Sequence, residues 1–118
     1  MLQNLPEQHF DLRGHKLYSE EVLAAPELYA TEDIPRDEKI VLAHFFIGRS
    51  HWWLLELNPE TGVAFGYVCL NEDVQNSELG YFSLLELEGI VINNAYVVQR
   101  DLDWQPTPLG RVLEALRD

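Results

Sequence analysis

Glu56 has the type and place that most invite chemistry, because it is a carboxylate between Leu55 and Leu57 in an otherwise apolar stretch. A carboxylate buried alone is costly. Its position therefore calls for either an exposed patch or a donor such as Arg100, Tyr81 or Arg49. Two roles follow: a satisfied polar residue near a sheet margin, or a functional acid in a cleft. Arg100, Asp101, Trp104 and Tyr81 form a candidate polar and aromatic patch near strand ends. Trp52 and Trp53 are adjacent, so a strand through them sets one indole on each face, one in the core and the other in the core or at an interface. The candidate binding residues are Glu56, Tyr81, Arg100, Asp101, Trp52 and Trp104, and none receives a catalytic assignment.

The remaining reactive residues point to structure. A nucleophilic thiol needs a base or a positive neighbour. The single Cys69 falls in a strand-like run, across from His51 in the simplest register, where a small buried hydrophobe is the expected role. His44 lies inside an apolar run and reads as a hydrogen-bonded core histidine. His9 and His15 belong to no clear element, and His44 and His51 flank a turn without a Cys or carboxylate pair at ligand spacing, so no metal is expected. A glycine-rich phosphate loop, a dinucleotide fingerprint and a Gly-x-Ser-x-Gly elbow are all missing, and no cofactor is expected.

The bulk properties restrict the partners. At 118 residues, 47% of them hydrophobic, the chain supports one core and a single domain over residues 1–118. Its net charge of −12 is spread along the chain, with nine acids and three bases in residues 1–38 and eleven and five in residues 39–118. That sign excludes direct binding of nucleic acid, which needs clustered Lys and Arg, and disfavours an anionic membrane surface. It serves either solubility or attraction of a basic protein partner, including a nucleic-acid enzyme whose groove an acidic protein can occupy. One cysteine cannot form an internal disulfide, and neither a leader-like start nor an 18-residue apolar run is present, so the expected location is the cytoplasm.

The element pattern predicts an α+β domain with a mostly antiparallel sheet of four or five strands. Residues 51–68 read as a β-hairpin whose turn uses Asn58, Pro59 and Gly62. Residues 39–47 (KIVLAHFFI) add a strand before it, giving a three-stranded meander at the centre of the sheet. With Phe46 opposite Trp53 and Leu57 opposite Val63, one face carries His44, Phe46, Trp53, Leu55 and Leu57. The other carries Phe45, Trp52, Leu54 and Glu56. Both faces are apolar and must be covered, one by the C-terminal helix and the other by N-terminal segments or a second copy in a homodimer. Residues 1–27 form the cover, with Leu5, Phe10, Leu12 and Leu17 as anchors joined by Leu28 and Tyr29 from the adjoining core. Ser19 and Ser83 are N-caps of short helices, and residues 78–82 are a fourth strand. Residues 95–102 alternate as a fifth, with Tyr96, Val98 and Arg100 on one side. Thr107 and Pro108 start a final helix at 107–117 with Leu109, Val112, Leu113 and Leu116 on one face.

Several segments together resemble a known family. They are Leu28-Tyr29-Ala30-Thr31-Glu32, Lys39-Ile40-Val41 with Phe45-Phe46, Trp53-Leu54-Leu55-Glu56-Leu57 with Pro59-Glu60, Phe65-Gly66-Tyr67-Val68, ELGYFSL-x-EL from Glu78 to Leu87, and Arg100-Asp101-Leu102. Across residues 28–110 the chain is similar to small bacterial proteins of unknown function, commonly encoded on plasmids, phages and integrating elements beside conjugation and anti-restriction genes. That family usually continues with an Arg-Gly-Pro-Leu-Gly-Leu-Pro run, where this chain has GIVINN. The resemblance implies a genetic context and no catalytic residues. Two functions remain open: a non-enzymatic accessory module that binds a protein, or a small enzyme or ligand-binding domain with a cleft around Glu56, Tyr81 and Arg100.

Overall fold

The computed structural model describes residues 1–117. In chain order the elements are α1 (Phe10–Arg13), α2 (Glu20–Leu23), β1 (Ile40–Val41), β2 (Ala43–Ile47), β3 (Ser50–Leu57), β4 (Val63–Cys69), β5 (Glu78–Ser83), α3 (Leu84–Gly89), β6 (Val91–Ile92), β7 (Tyr96–Val97), β8 (Gln99–Arg100), β9 (Thr107–Pro108) and α4 (Leu109–Arg117). The main sheet is antiparallel in the order β5-β4-β3-β2-β8, with the expected meander at its centre. This is an α+β fold.

Local chemistry explains the joints. Asn58 Oδ1 accepts from the amides of Glu60 (2.9 Å) and Thr61 (3.3 Å), and Gly62 takes φ +80°, which closes the β3–β4 turn. Ser19 and Ser83 cap their helices by accepting from Val22 N and Glu86 N, both at 3.2 Å. Asn93 and Asn94 hold left-handed φ of 54° and 58°, the geometry of a tight hairpin turn between β6 and β7.

Each face of the sheet is covered by its own layer. On the first, Phe45, Trp52, Leu54 and Leu57 meet Leu2, Leu17, Tyr18, Val22 and Leu84. On the second, Trp53, Leu55, Tyr67 and Cys69 meet Val41 and the apolar stripe Leu109, Val112 and Leu113 of α4. The N-terminal anchors are thus Leu2, Leu17, Tyr18 and Val22, whereas Leu5, Phe10, Leu12 and Tyr29 are exposed.

Four local expectations are corrected. Phe46 pairs with His51 rather than Trp53, because the β2–β3 turn is shorter than that register needs. Leu57 pairs with Ala64 rather than Val63, because a β-bulge between Leu54 and Glu56 inserts a residue. Past the bulge the faces exchange, so Leu57 enters the first core and Glu56 joins the second face beside its partner Phe65. Residues 95–102 break into β7 and β8, since Val97 and Val98 are both buried. Thr107 caps nothing: it pairs with Val41, and its hydroxyl donates to Gln105 O at 2.6 Å.

Candidate functional site

The bulge creates the first candidate site. It frees Leu57 N to donate to Pro26 O at 2.8 Å, which ties the loop 26–34 to the end of β3. Glu56, buried at 4% exposure, completes the tie. Its Oε1 accepts from Tyr29 N at 2.8 Å, and its Oε2 accepts from Thr31 N at 3.1 Å and from the Thr31 hydroxyl. Lys39, also buried, donates from Nζ to Thr31 Oγ1 at 3.2 Å and to Thr31 O. The Glu56 carboxylate therefore has donors at both oxygens and a buried cation one hydroxyl away, an arrangement that keeps a buried charge tolerable.

The loop held in this way presents Tyr29 in the left-handed region at φ +71°, with its side chain 65% exposed. Tyr81 on β5 is 56% exposed, sits beside Tyr29, and packs on Phe65 with ring centroids 5.1 Å apart. The neighbouring Tyr29 phenol first, then burial, then the charges of Glu56 and Glu32 push the Tyr81 phenol above its usual range.

Glu56 and Tyr81 are thus brought together. Arg100 is on the other face of the sheet, paired with Phe45 and donating from Nε to Lys16 O at 3.0 Å. Arg100, Asp101 and Trp104 line a cavity of about 400 Å³ with Ser19, Glu21 and Pro106, while the Trp104 indole donates to Val41 O at 3.0 Å. Trp52 lies in the first core, apart from both groups.

A third group joins the second of these. Asp101 Oδ2 lies 3.6 Å from His44 Nδ1, and His44 Nε2 shares a proton with His51 Nδ1 at 2.9 Å. Both imidazoles stack on the Trp53 indole, at 5.0 Å and 5.4 Å. Cys69, opposite His51, is fully buried, and burial followed by Asp73 and Glu72 pushes its thiol up, away from nucleophilic thiolate. Among the described residues no three His, Cys, Asp or Glu side chains are grouped to hold a metal ion, and no helix is long and apolar enough to cross a membrane.

Residues 19–117 match a family described as a protein of unknown function (DUF2958). The chain belongs to that family. No curated protein and no solved structure matches it. The DUF2958 match takes in α2 and α4 but leaves out the first 18 residues, which supply Leu2, Leu17 and Tyr18 to the first core.

The histidine pair gives this DUF2958 protein a pH signature. Its hydrogen bond needs one donor and one acceptor nitrogen, so double protonation destroys it. Burial first, then His51, lowers the His44 pKa below 6.5 against the opposing Asp101, and burial lowers His51 against Glu72. Below 6.5 the unfolded chain therefore binds more protons than the folded one, and stability falls as pH drops from there towards the depressed folded values. In urea titrations between about pH 6.5 and pH 5, His44→Gln should flatten this dependence relative to wild type. A variant curve parallel to wild type contradicts the coupling.

The donors to Glu56, namely Tyr29, Thr31 and indirectly Lys39, were not legible as its partners. Tyr29 and Thr31 lie 27 and 25 residues from Glu56 in sequence, Lys39 reaches it only through Thr31, and only a bulge turns Glu56 towards them. The pairing of His44 with His51 carried a signal, since an offset of seven across a tight turn makes them diagonal neighbours on one face.

Proposed function

We propose that this is a non-enzymatic, acidic protein-binding module. It acts as an accessory of a mobile genetic element by contacting the basic surface of a host nucleic-acid-binding or defence protein. The observation that carries this reading is the full engagement of Glu56. With Tyr29 N, Thr31 N and the Thr31 hydroxyl on its two oxygens, the acid best placed for a cleft holds a loop in shape. The placement of Arg100 on the opposite sheet face weighs against a shared cleft with Glu56 and Tyr81.

The charge supplies the attraction. Glu27, Glu32, Asp33 and Glu38 are all exposed on and around the loop that Glu56 organises, within a chain of net charge −12. The genetic setting comes from the resemblance, three of whose segments, around Tyr29, Glu56 and Tyr81, meet at this corner.

The test is a pull-down from a bacterial host with wild type and with a variant carrying Lys at positions 27, 32, 33 and 38. The expected result is a basic protein retained by wild type, released by moderate salt and lost with the variant. Recovery of no partner, together with purification of the chain bound to a small molecule in the Arg100–Asp101–Trp104 cavity, overturns the proposal.

A further inference from the structure

The two edges of the main sheet are treated differently. At one, β8 is only two residues long and the N-terminal cover runs against it, with Arg100 Nε donating to Lys16 O at 3.0 Å and His15 Nε2 lying 3.0 Å from Gln99 Oε1. At the other, β5 runs for six residues and pairs with β4 at all six without a register shift. Among the described residues, no backbone group outside β4 bonds to residues 78–81. Such an edge offers alternate N–H and C=O groups to another chain, and proteins normally blunt it with a lysine, a proline or a bulge. The strand Glu78-Leu79-Gly80-Tyr81-Phe82-Ser83 has none of the three. Beside this open edge lies a cavity of about 420 Å³, lined among others by Leu70, Asp73, Asn76, Glu78 and Gly80. Gly80 leaves it open, since a Cβ there would meet nothing within 4 Å. The Asp73 carboxylate accepts from Asn76 Nδ2 at 2.7 Å, and among the described residues neither Asp73 nor Glu78 has an ion-pair partner.

We propose that β5 is the docking edge for an extended basic segment of the protein partner, which adds a further strand to the sheet and places a lysine or arginine in the cavity beside Asp73 and Glu78. The inference rests on the acidic-module reading and names how the partner is held. Backbone hydrogen bonds along β5 supply affinity without regard to sequence, and a pocket that takes one side chain of the added strand supplies selectivity. The pocket is one-signed: it has two acids and the Asn76 amide, with exposed Leu70 to pack against the methylene stem of a long cation. Charge also decides between occupants. A second copy pairing β5 to β5 would bring together two chains of net charge −12, whereas a basic strand relieves that charge.

The test uses the full ¹⁵N-labelled chain with an alternating Lys-Val octapeptide and the same peptide N-methylated at every residue, which keeps the charges and removes the backbone donors. The expected result is binding of the first, with chemical-shift changes and slowed amide exchange concentrated at residues 78–82, and affinity lower by about tenfold or more for the second. Gly80→Lys fits the open space at that position, so it should keep the wild-type Tm while losing affinity, because an edge lysine repels the basic strand and fills the cavity. Asp73→Asn combined with Glu78→Gln should weaken binding about tenfold. Equal affinity for the two peptides, or Gly80→Lys binding as wild type while charge reversal at 27, 32, 33 and 38 abolishes binding, overturns strand addition and leaves the acidic module standing. Dimerisation of the chain through residues 78–82 with neither peptide bound assigns the edge to a second copy and also overturns it. If wild type binds neither peptide, strand addition falls, and the pull-down decides the acidic module separately.

Discussion

Arg13→Ala should lower the unfolding free energy by about 3–5 kcal/mol. The Arg13 side chain is wholly buried, with Nη1 on Glu7 Oε1 at 2.9 Å, Nη2 on Glu88 Oε2 at 3.2 Å, and Nε donating to Val98 O at 2.6 Å. The two carboxylates are themselves anchors. Glu7 accepts from Leu17 N (2.8 Å) and Tyr18 N (3.0 Å), and Glu88 accepts from Gln8 N (2.8 Å) and His9 N (2.9 Å). Removing the guanidinium leaves two negative charges facing each other in a dry site, a far larger penalty than the pair's net contribution when intact. Lysine cannot replace it, because one ammonium cannot reach three acceptors in a fixed fork.

Burial, then Glu88 and Glu7, already push the neighbouring Tyr18 phenol well above its usual range, with Arg13 opposing, so that hydroxyl remains a donor to Leu84 O at 3.4 Å. The triad also joins two parts of the chain. Arg13 and Glu7 precede the region matched by the family, whereas Glu88 lies within it. Losing Arg13 should therefore detach the N-terminal cover and expose the Phe45, Trp52 and Leu54 face. Urea denaturation with hydrogen exchange measures both effects. A loss below about 1 kcal/mol, with protection of Leu17 and Tyr18 amides unchanged, contradicts this account.

What the sequence made legible follows from how local the causes were. The β3–β4 turn, the Ser19 and Ser83 caps and the α4 stripe depend on residues a few positions apart, and each could be read directly. The Arg13 triad spans 75 residues between partners, and the Glu56 tie spans 25 and 27, so neither leaves a local pattern. The six candidate binding residues illustrate the same limit. Arg100, Asp101 and Trp104 are near in sequence and share a cavity, and Glu56 and Tyr81 meet through strand pairing with Phe65. Which of these groups faces which side depended on a bulge that strict alternation cannot show, because one extra residue reverses every face beyond it.

That bulge depends on Gly66, and Gly66→Ala should destabilise the fold by more than about 3 kcal/mol. Gly66 pairs with Leu54 where the register shifts and with Gly80 on the other side. A Cβ there would lie 1.9 Å from the Trp53 carbonyl oxygen and 3.2 Å from Cε1 of Phe82. The first clash is with backbone on the central strand, so no rotamer change relieves it, and β3 or β4 must move. Gly80→Ala, one strand away, is the control: its Cβ meets nothing within 4 Å, and alanine costs the unfolded chain entropy that glycine retains. The consequence extends past stability. If β3 escapes the clash by drawing out the bulge, Glu56 turns back to the first face and Leu57 leaves the core, and the loop 26–34 loses both its Glu56 anchor and the Leu57–Pro26 hydrogen bond. The variant should therefore show a lowered Tm and fast exchange at the Tyr29 and Thr31 amides, with Gly80→Ala unchanged in both. Equal Tm values for the two variants would show that β3 yields at no cost, and that the bulge is not what aims Glu56 at its loop.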